Sequence, residues 1–158
     1  MSLSGKNAIV TGGAQGIGRA IALRLAKDGA NISLLDLNQP IALETATEIE
    51  QIGVSALAFD CDATDYEQVN SAVKQTHQKW GSIDILINNA GIDRAKRFVE
   101  TDQELWDLII NVNYRSFLIA SHVCIPYMIE RKSGNIVSLG SDAGRIGKPT
   151  HPRHSSRR

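Results

Sequence analysis

Apolar positions recur along this chain in two alternating rhythms, one with the tight spacing of buried strands and one with the wider spacing of helices. Ala8-Ile-Val10 is a short continuous apolar run of the buried-strand kind. Glycines break it, and Arg19–Lys27 resumes at helical spacing. Asn31–Asp36 reads as a second strand, Ile41–Gln51 as a helix stopped by Gly53, and Val54–Phe59 as a third strand running into Asp60-Cys-Asp62. Thr64-Asp65 caps a helix that turns Val69, Ala72, Val73 and Trp80 toward the sheet and ends at Gly81. Ile83–Ile87 is a fourth strand, apolar on both sides as a doubly covered strand should be. Thr101-Asp102 opens another helix through Trp106, Leu108 and Ile109. A separate, longer helix is predicted over Asn113–Arg131, carrying Tyr114, Phe117, Leu118, Ser121, Cys124, Ile125 and Met128 at helical spacing, with Pro126 predicting a kink. Asn135–Leu139 is the fifth strand.

Strands alternating with helices predict an α/β fold, a doubly wound parallel sheet with helices on both faces. The pattern stops at Lys148. From there to Arg158 no aliphatic or aromatic residue occurs, so residues 1–147 are expected to form one domain and residues 148–158 a disordered tail. Composition is otherwise that of an ordinary globular chain, with 42% hydrophobic and 22% charged residues. The formal net charge of zero argues against nucleic-acid or membrane-surface partners. All 17 acidic residues precede position 143, while Lys148, Arg153, Arg157 and Arg158 stand in the tail, so a mildly acidic body is joined to a basic end. Cys61 and Cys124 lie far apart with no histidine cluster beside them, which predicts buried reduced thiols and no metal site. The first strand begins almost at the N-terminus and no apolar run reaches spanning length, so a cytoplasmic location is expected.

The chemistry is concentrated in Thr11-Gly-Gly-Ala-Gln-Gly-Ile-Gly18, between the first strand and the first helix. Strand, glycine turn and helix together present free backbone N–H groups and a positive helix end to a pyrophosphate. Gly12 serves the tight turn, Gly16 the approach of the phosphates, and Gly18 close packing of helix on strand; Gly13, Gln15 and Ile17 complete the loop. The second strand ends in Asp36, 18 residues after Gly18, close to the spacing of the carboxylate that grips an adenosine ribose. These features predict a Rossmann-type dinucleotide site. An aspartate there accepts both ribose hydroxyls of NAD and repels a 2′-phosphate. The surrounding loop offers Gln15 and Leu37 rather than a cation, so NAD is favoured over NADP.

With Asn88-Asn-Ala-Gly91 after the fourth strand, the glycine turn resembles the short-chain dehydrogenase/reductase family, whose patterns are TGxxxGxG and NNAG. The resemblance covers residues 4–147 and implies five of that family's seven strands. It implies that Asn89, Ala90 and Gly91 border the cofactor and that Asp62 bonds the adenine amino group, although Asp62 can also be read as helping to cap the next helix. It gives Asn113 a water-holding role in proton relay, beside a plainer reading in which Asn113 distorts the start of its helix. It makes Ser141, with Ser138 as the weaker candidate, the hydroxyl that donates to a substrate carbonyl. The activity implied is hydride transfer between NAD and a secondary alcohol or ketone, by a homo-oligomer; Ser141–Gly147 bears a faint similarity to members acting on acyl thioesters. The family then places a tyrosine 13 residues after the serine and a lysine four further on. Here those positions are His154 and Arg158. The resemblance therefore breaks before the acid/base pair, and the chain as written is expected to be an inactive nucleotide-binding fragment.

Overall fold

The computed structural model describes residues 2–141. The elements run β1 (Asn7–Thr11), α1 (Gly16–Lys27), β2 (Asn31–Asp36), α2 (Gln39–Gln51), β3 (Ala56–Asp60), α3 (Tyr66–Trp80), β4 (Ile85–Asn88), α4 (Gln103–Ile110), α5 (Ser116–Glu130) and β5 (Asn135–Ser138). A short 3₁₀ turn, Phe98–Glu100, precedes α4. The five strands form one parallel sheet in the order β3-β2-β1-β4-β5.

Alternation along the strands divides the core in two. Ala8, Val10, Ile32 and Leu34 pack under α1 and α2, with Ala22, Ala26, Ala42 and Ile49. Ile9, Leu35 and Leu86 face the other way, onto Val69 and Val73 of α3 and Ala120, Val123 and Cys124 of α5. Three of the helices, α2, α3 and α4, start at a residue whose side chain caps them. Asp65 accepts from the amides of Glu67 and Gln68 at the head of α3, and Gly81, at φ 74°, closes its end. Asn38 caps α2, which begins two residues before the predicted Ile41 because Pro40 is tolerated in a first turn.

One prediction is corrected. The helices expected as separate elements around Asn111–Asn113 are continuous, joined by a π turn over Asn111–Arg115. The joined helix, Gln103–Glu130, is 28 residues long with a mean hydropathy of 1.3 over an 18-residue window, so one segment does reach spanning length and composition. Ala120, Val123, Cys124 and Met128 of this helix belong to the core, while Tyr114, Leu118, Ile125 and Ile129 face outward. Pro126 is accommodated within α5.

At the foot of the sheet, β4 starts later than predicted because Asp84 has another task. Its side chain is 4% exposed, and its Oδ1 accepts from Lys6 Nζ at 3.1 Å and Arg131 at 3.2 Å. Oδ2 accepts from the Asn7 amide at 3.0 Å and Ser82 Oγ at 2.9 Å. One carboxylate thus ties the starts of β1 and β4 to the end of α5.

The predicted boundary at residue 147, the disordered basic tail over 148–158, His154 and Arg158 lie outside the described residues.

Candidate dinucleotide site

The strand order places a switch point between β1 and β4. The chain leaves β1 toward β2 and β3, then crosses back to lay β4 on the other side of β1. Ligands of open α/β sheets bind beyond the strand ends at such points, and the two glycine-bearing motifs meet there.

Gly12 and Gly16 take positive φ, 63° and 57°, which a side chain would disfavour. A Cβ on Gly16 would meet no atom within 4 Å, so the space before it is open. Gly18 is the opposite case. A Cβ there would lie 2.0 Å from the Gly12 carbonyl oxygen and 2.5 Å from Asn89 Nδ2, so α1 packs on the turn only without a side chain. Gly13 is crowded by Leu34. Gln15 is the extended N-cap of α1 and makes no side-chain cap bond, which leaves the first amides of the helix for an anion. Ile17 and Leu37 are 65% and 70% exposed at the mouth of this turn. The donor set, the open ground before Gly16 and the flanking apolar side chains fit a dinucleotide.

Asp36 ends β2 with both carboxylate oxygens directed: Oδ2 accepts from the Ala14 amide and Oδ1 from the Asn38 amide, each at 2.9 Å. Asp62 follows β3, and its Oδ1 accepts from the amide and hydroxyl of Thr64 at 2.8 Å, two residues ahead of α3, whose own cap is Asp65.

Across the switch point, Asn89 Nδ2 donates to the carbonyls of Thr11 and Gly12 at 3.0 and 2.9 Å. The amides of Asn89 and Ala90 donate to Thr11 Oγ1, a bracket the motif reading did not include. Asn88 is fully buried and donates through Nδ2 to Ser121 Oγ at 3.2 Å and Ser138 Oγ at 3.1 Å, while its Oδ1 finds no partner among the described residues. Beyond Gly91, Asn113 Oδ1 accepts from the Ile92 amide at 2.7 Å and Asn113 Nδ2 donates to the Ile92 carbonyl at 2.8 Å. Asn113 sits inside the π turn rather than at a helix start, and π turns recur at functional sites.

The structure therefore brings together Gly12, Gly18, Asn89, Ala90, Gly91 and Asn113 in one run of contacts, with Asp36 attached through Ala14. Asp62 stands at the end of the outer strand β3. Ser141, exposed, is the last described residue, three past the end of β5. Ser138, one strand position from Leu139, has its hydroxyl engaged by Asn88.

No thiol competes for the chemistry. Burial, together with the charges of Asp62, Asp65 and Asp60, pushes the Cys61 thiol up to about 12, and burial alone pushes Cys124 up to about 12. Both are free and buried, and both are protonated at neutral pH. Among the described residues, no three His, Cys, Asp or Glu side chains gather as metal ligands would.

Comparison with known proteins decides the family. Residues 6–156 match the short chain dehydrogenase family. The chain belongs to it. It is 34% identical over 156 residues to the 3-oxoacyl-(acyl-carrier-protein) reductase FabG of Thermotoga maritima, covering 99% of this chain and 63% of that protein. It is 35% identical over 149 residues to the 5-keto-D-gluconate 5-reductase of Escherichia coli K12, covering 94% and 59%. The crystal structure of an NAD+-bound xylitol dehydrogenase superposes with a TM-score of 0.91 at 32% identity, over 95% of this chain and 58% of that one. The short-chain dehydrogenase segment described here thus spans about three-fifths of the length of these relatives.

Proposed function

We propose that this chain is the dinucleotide-binding part of an NAD-dependent oxidoreductase acting on a secondary alcohol or ketone. The observation that carries the reading is the uncapped start of α1 behind the open Gly16, with the directed Asp36 carboxylate beside it. The α1 amides hold the pyrophosphate, and Asp36 accepts the ribose hydroxyls in preference to a 2′-phosphate. Asp62 and Leu37 border the adenine end, and Asn89, Ala90 and Gly91 border the opposite end. NAD, when bound, supplies the hydride acceptor. Asn113 contributes by fixing the Gly91–Ile92 loop through its two bonds to Ile92 and by holding the relay water at the π turn. Ser141 donates to the substrate oxygen. The substrate is a small alcohol or ketone, with an acyl thioester as one class to include, and neither nucleic acid nor membrane is a partner. The exposed Tyr114, Leu118 and Ile125 support self-association, and the free thiols of Cys61 and Cys124 support a cytoplasmic setting.

A second reading rests on the sequence at the acid/base positions. No tyrosine follows Ser141, and His154 and Arg158 stand where the family has tyrosine and lysine. The chain as written then binds the cofactor without useful turnover, since acid–base assistance is worth about 10²–10⁴ in rate. Incubation with NAD and a panel of secondary alcohols, polyols and 3-hydroxyacyl thioesters, followed at the reduced-nicotinamide absorbance, is expected to show no turnover above background. Turnover that His154→Ala abolishes would overturn this second reading and make the histidine an acid/base.

A further inference from the structure

Thr45 lies in the sheet-facing row of α2, among Ala42, Ala46 and Ile49, and is 2% exposed. A buried hydroxyl in an apolar row is costly unless it is bonded. The usual solution for a helical threonine is the carbonyl four residues back. Thr47, on the exposed side of the same helix, takes it, donating to the Leu43 carbonyl at 3.0 Å. Thr76 of α3 also takes it, donating to the Ala72 carbonyl at 2.8 Å. Thr45 does not. Its Oγ1 leaves the helix and donates to the carbonyl of Ala14, in the glycine turn, at 2.9 Å.

Ala14 is fully buried, and its own amide is the group that directs Asp36 Oδ2. The residue is therefore gripped from both sides, its N–H by the carboxylate and its C=O by Thr45. Peptide planes are rigid and trans, so holding the Ala14 carbonyl against α2 turns the following Gln15 N–H the opposite way, away from α2. An Arg19–Glu48 ion pair binds α1 to α2 on the outside of the same junction.

We propose that Thr45 is a positioning residue for dinucleotide selection: its hydroxyl fixes the Ala14 peptides, and through the Ala14 amide it fixes the carboxylate that separates a ribose diol from a 2′-phosphate. The inference rests on the NAD reading given above. Without the hydroxyl, the Ala14 peptides can rotate, and Asp36 is left held through Oδ1 by the Asn38 amide alone. The diol then loses a fixed acceptor, while a 2′-phosphate loses a fixed repulsive charge, so the two cofactors respond in opposite directions.

The test is calorimetric titration of NAD and NADP into the parent chain and into Thr45→Val and Thr45→Ser. The parent is expected to bind NAD more tightly than NADP. Thr45→Val is expected to reduce the NAD-to-NADP affinity ratio about five- to tenfold, and Thr45→Ser, which keeps the hydroxyl, to stay within about twofold of the parent. In an Asp36→Asn background, Thr45→Val is expected to leave the ratio unchanged, since the effect runs through that carboxylate. A parent that binds neither dinucleotide, or prefers NADP, refutes the NAD reading itself and the proposal with it. With the parent behaving as expected, an unchanged ratio in Thr45→Val, or an equal fall for both cofactors, refutes the proposal alone and leaves Thr45 a packing residue. Should Thr45→Val fail to fold, Thr45→Ser decides: a folded serine variant that loses the ratio tenfold overturns the proposal, and one that preserves it supports the hydroxyl as the active feature.

Discussion

Gly18→Ala is expected to destabilise the chain by about 3 kcal/mol and to reduce dinucleotide affinity by more than tenfold. In an ordinary helix interior the change would gain about 1 kcal/mol, because alanine is the better helix former. Here the added methyl would lie 2.0 Å from the Gly12 carbonyl oxygen and 2.5 Å from Asn89 Nδ2. Neither neighbour can give way cheaply. The first is backbone in the turn, and the second is held by the carbonyls of Thr11 and Gly12. Relief requires α1 to lift from β1, which carries its uncapped amides away from the proposed pyrophosphate position. At about 2–4 °C per kcal/mol for a chain of this size, the melting temperature should fall by roughly 10 °C. Thermal unfolding measures the first effect and NAD calorimetry the second. Gly16→Ala is the contrast, since it strains a positive φ but meets nothing. A Gly18→Ala protein as stable as its parent would contradict the packing described here.

Asp84→Ala is expected to cost a similar amount, about 2–4 kcal/mol, by a different route. Removing the carboxylate leaves the Asn7 amide without an acceptor inside the protein. Lys6 and Arg131 are 43% and 40% exposed and can turn to water, which holds the loss below that of a fully buried ion pair. The same group sets an acid response. Burial pushes the Asp84 carboxyl up, but the bonds from Lys6, the Asn7 amide and Ser82, with the lysine charge, outweigh it and hold the group below its ordinary value of 3.8. A carboxyl lowered on folding contributes stability that is fully present above the unfolded value and is lost as pH falls through the folded one. Thermal melts of the parent should therefore fall as pH descends below about 4, and Asp84's part of that fall should be absent in Asp84→Ala. Parallel pH profiles for the two proteins would remove Asp84 from the acid response.

Much of the architecture was legible because it rests on local pattern. The apolar run Ala8–Val10 and the apolar-rich Ile32–Leu35 belong to strands covered on both faces, which favours apolar residues at successive positions. The glycine turn was legible for a related reason: a Cβ at Gly18 would lie 2.0 Å from the Gly12 carbonyl oxygen, so the constraint is written in the residue type. Long-range polar contacts left a weaker trace. Asp84 sits inside an apolar run and reads there as an interruption; its bonds to Asn7, Ser82, Lys6 and Arg131 cross three elements. Thr11 and Thr45 act through single hydroxyls on distant backbone, and the only sign of Thr45 was a polar residue in the row Ala42, Ala46, Ile49. The joining of α4 to α5 escaped for a geometric reason. A π turn inserts one residue into the helical count, which shifts the apolar stripe and imitates a break. In the same region the larger apolar residues Tyr114, Leu118 and Ile125 face outward, while the smaller Ala120 packs in the core beside the sheet.

The central claim is that the turn from Gly12 to Gly18, with Asp36 beside it, binds NAD. Titration of NAD and of NADP into the parent chain and into Asp36→Asn, under one buffer and salt condition, tests it most directly. The account predicts that the parent binds NAD about tenfold more tightly than NADP, and that Asp36→Asn loses most of that preference by weakening NAD and relieving the repulsion of the 2′-phosphate. A parent that binds neither dinucleotide, or binds NADP the more tightly, would contradict it.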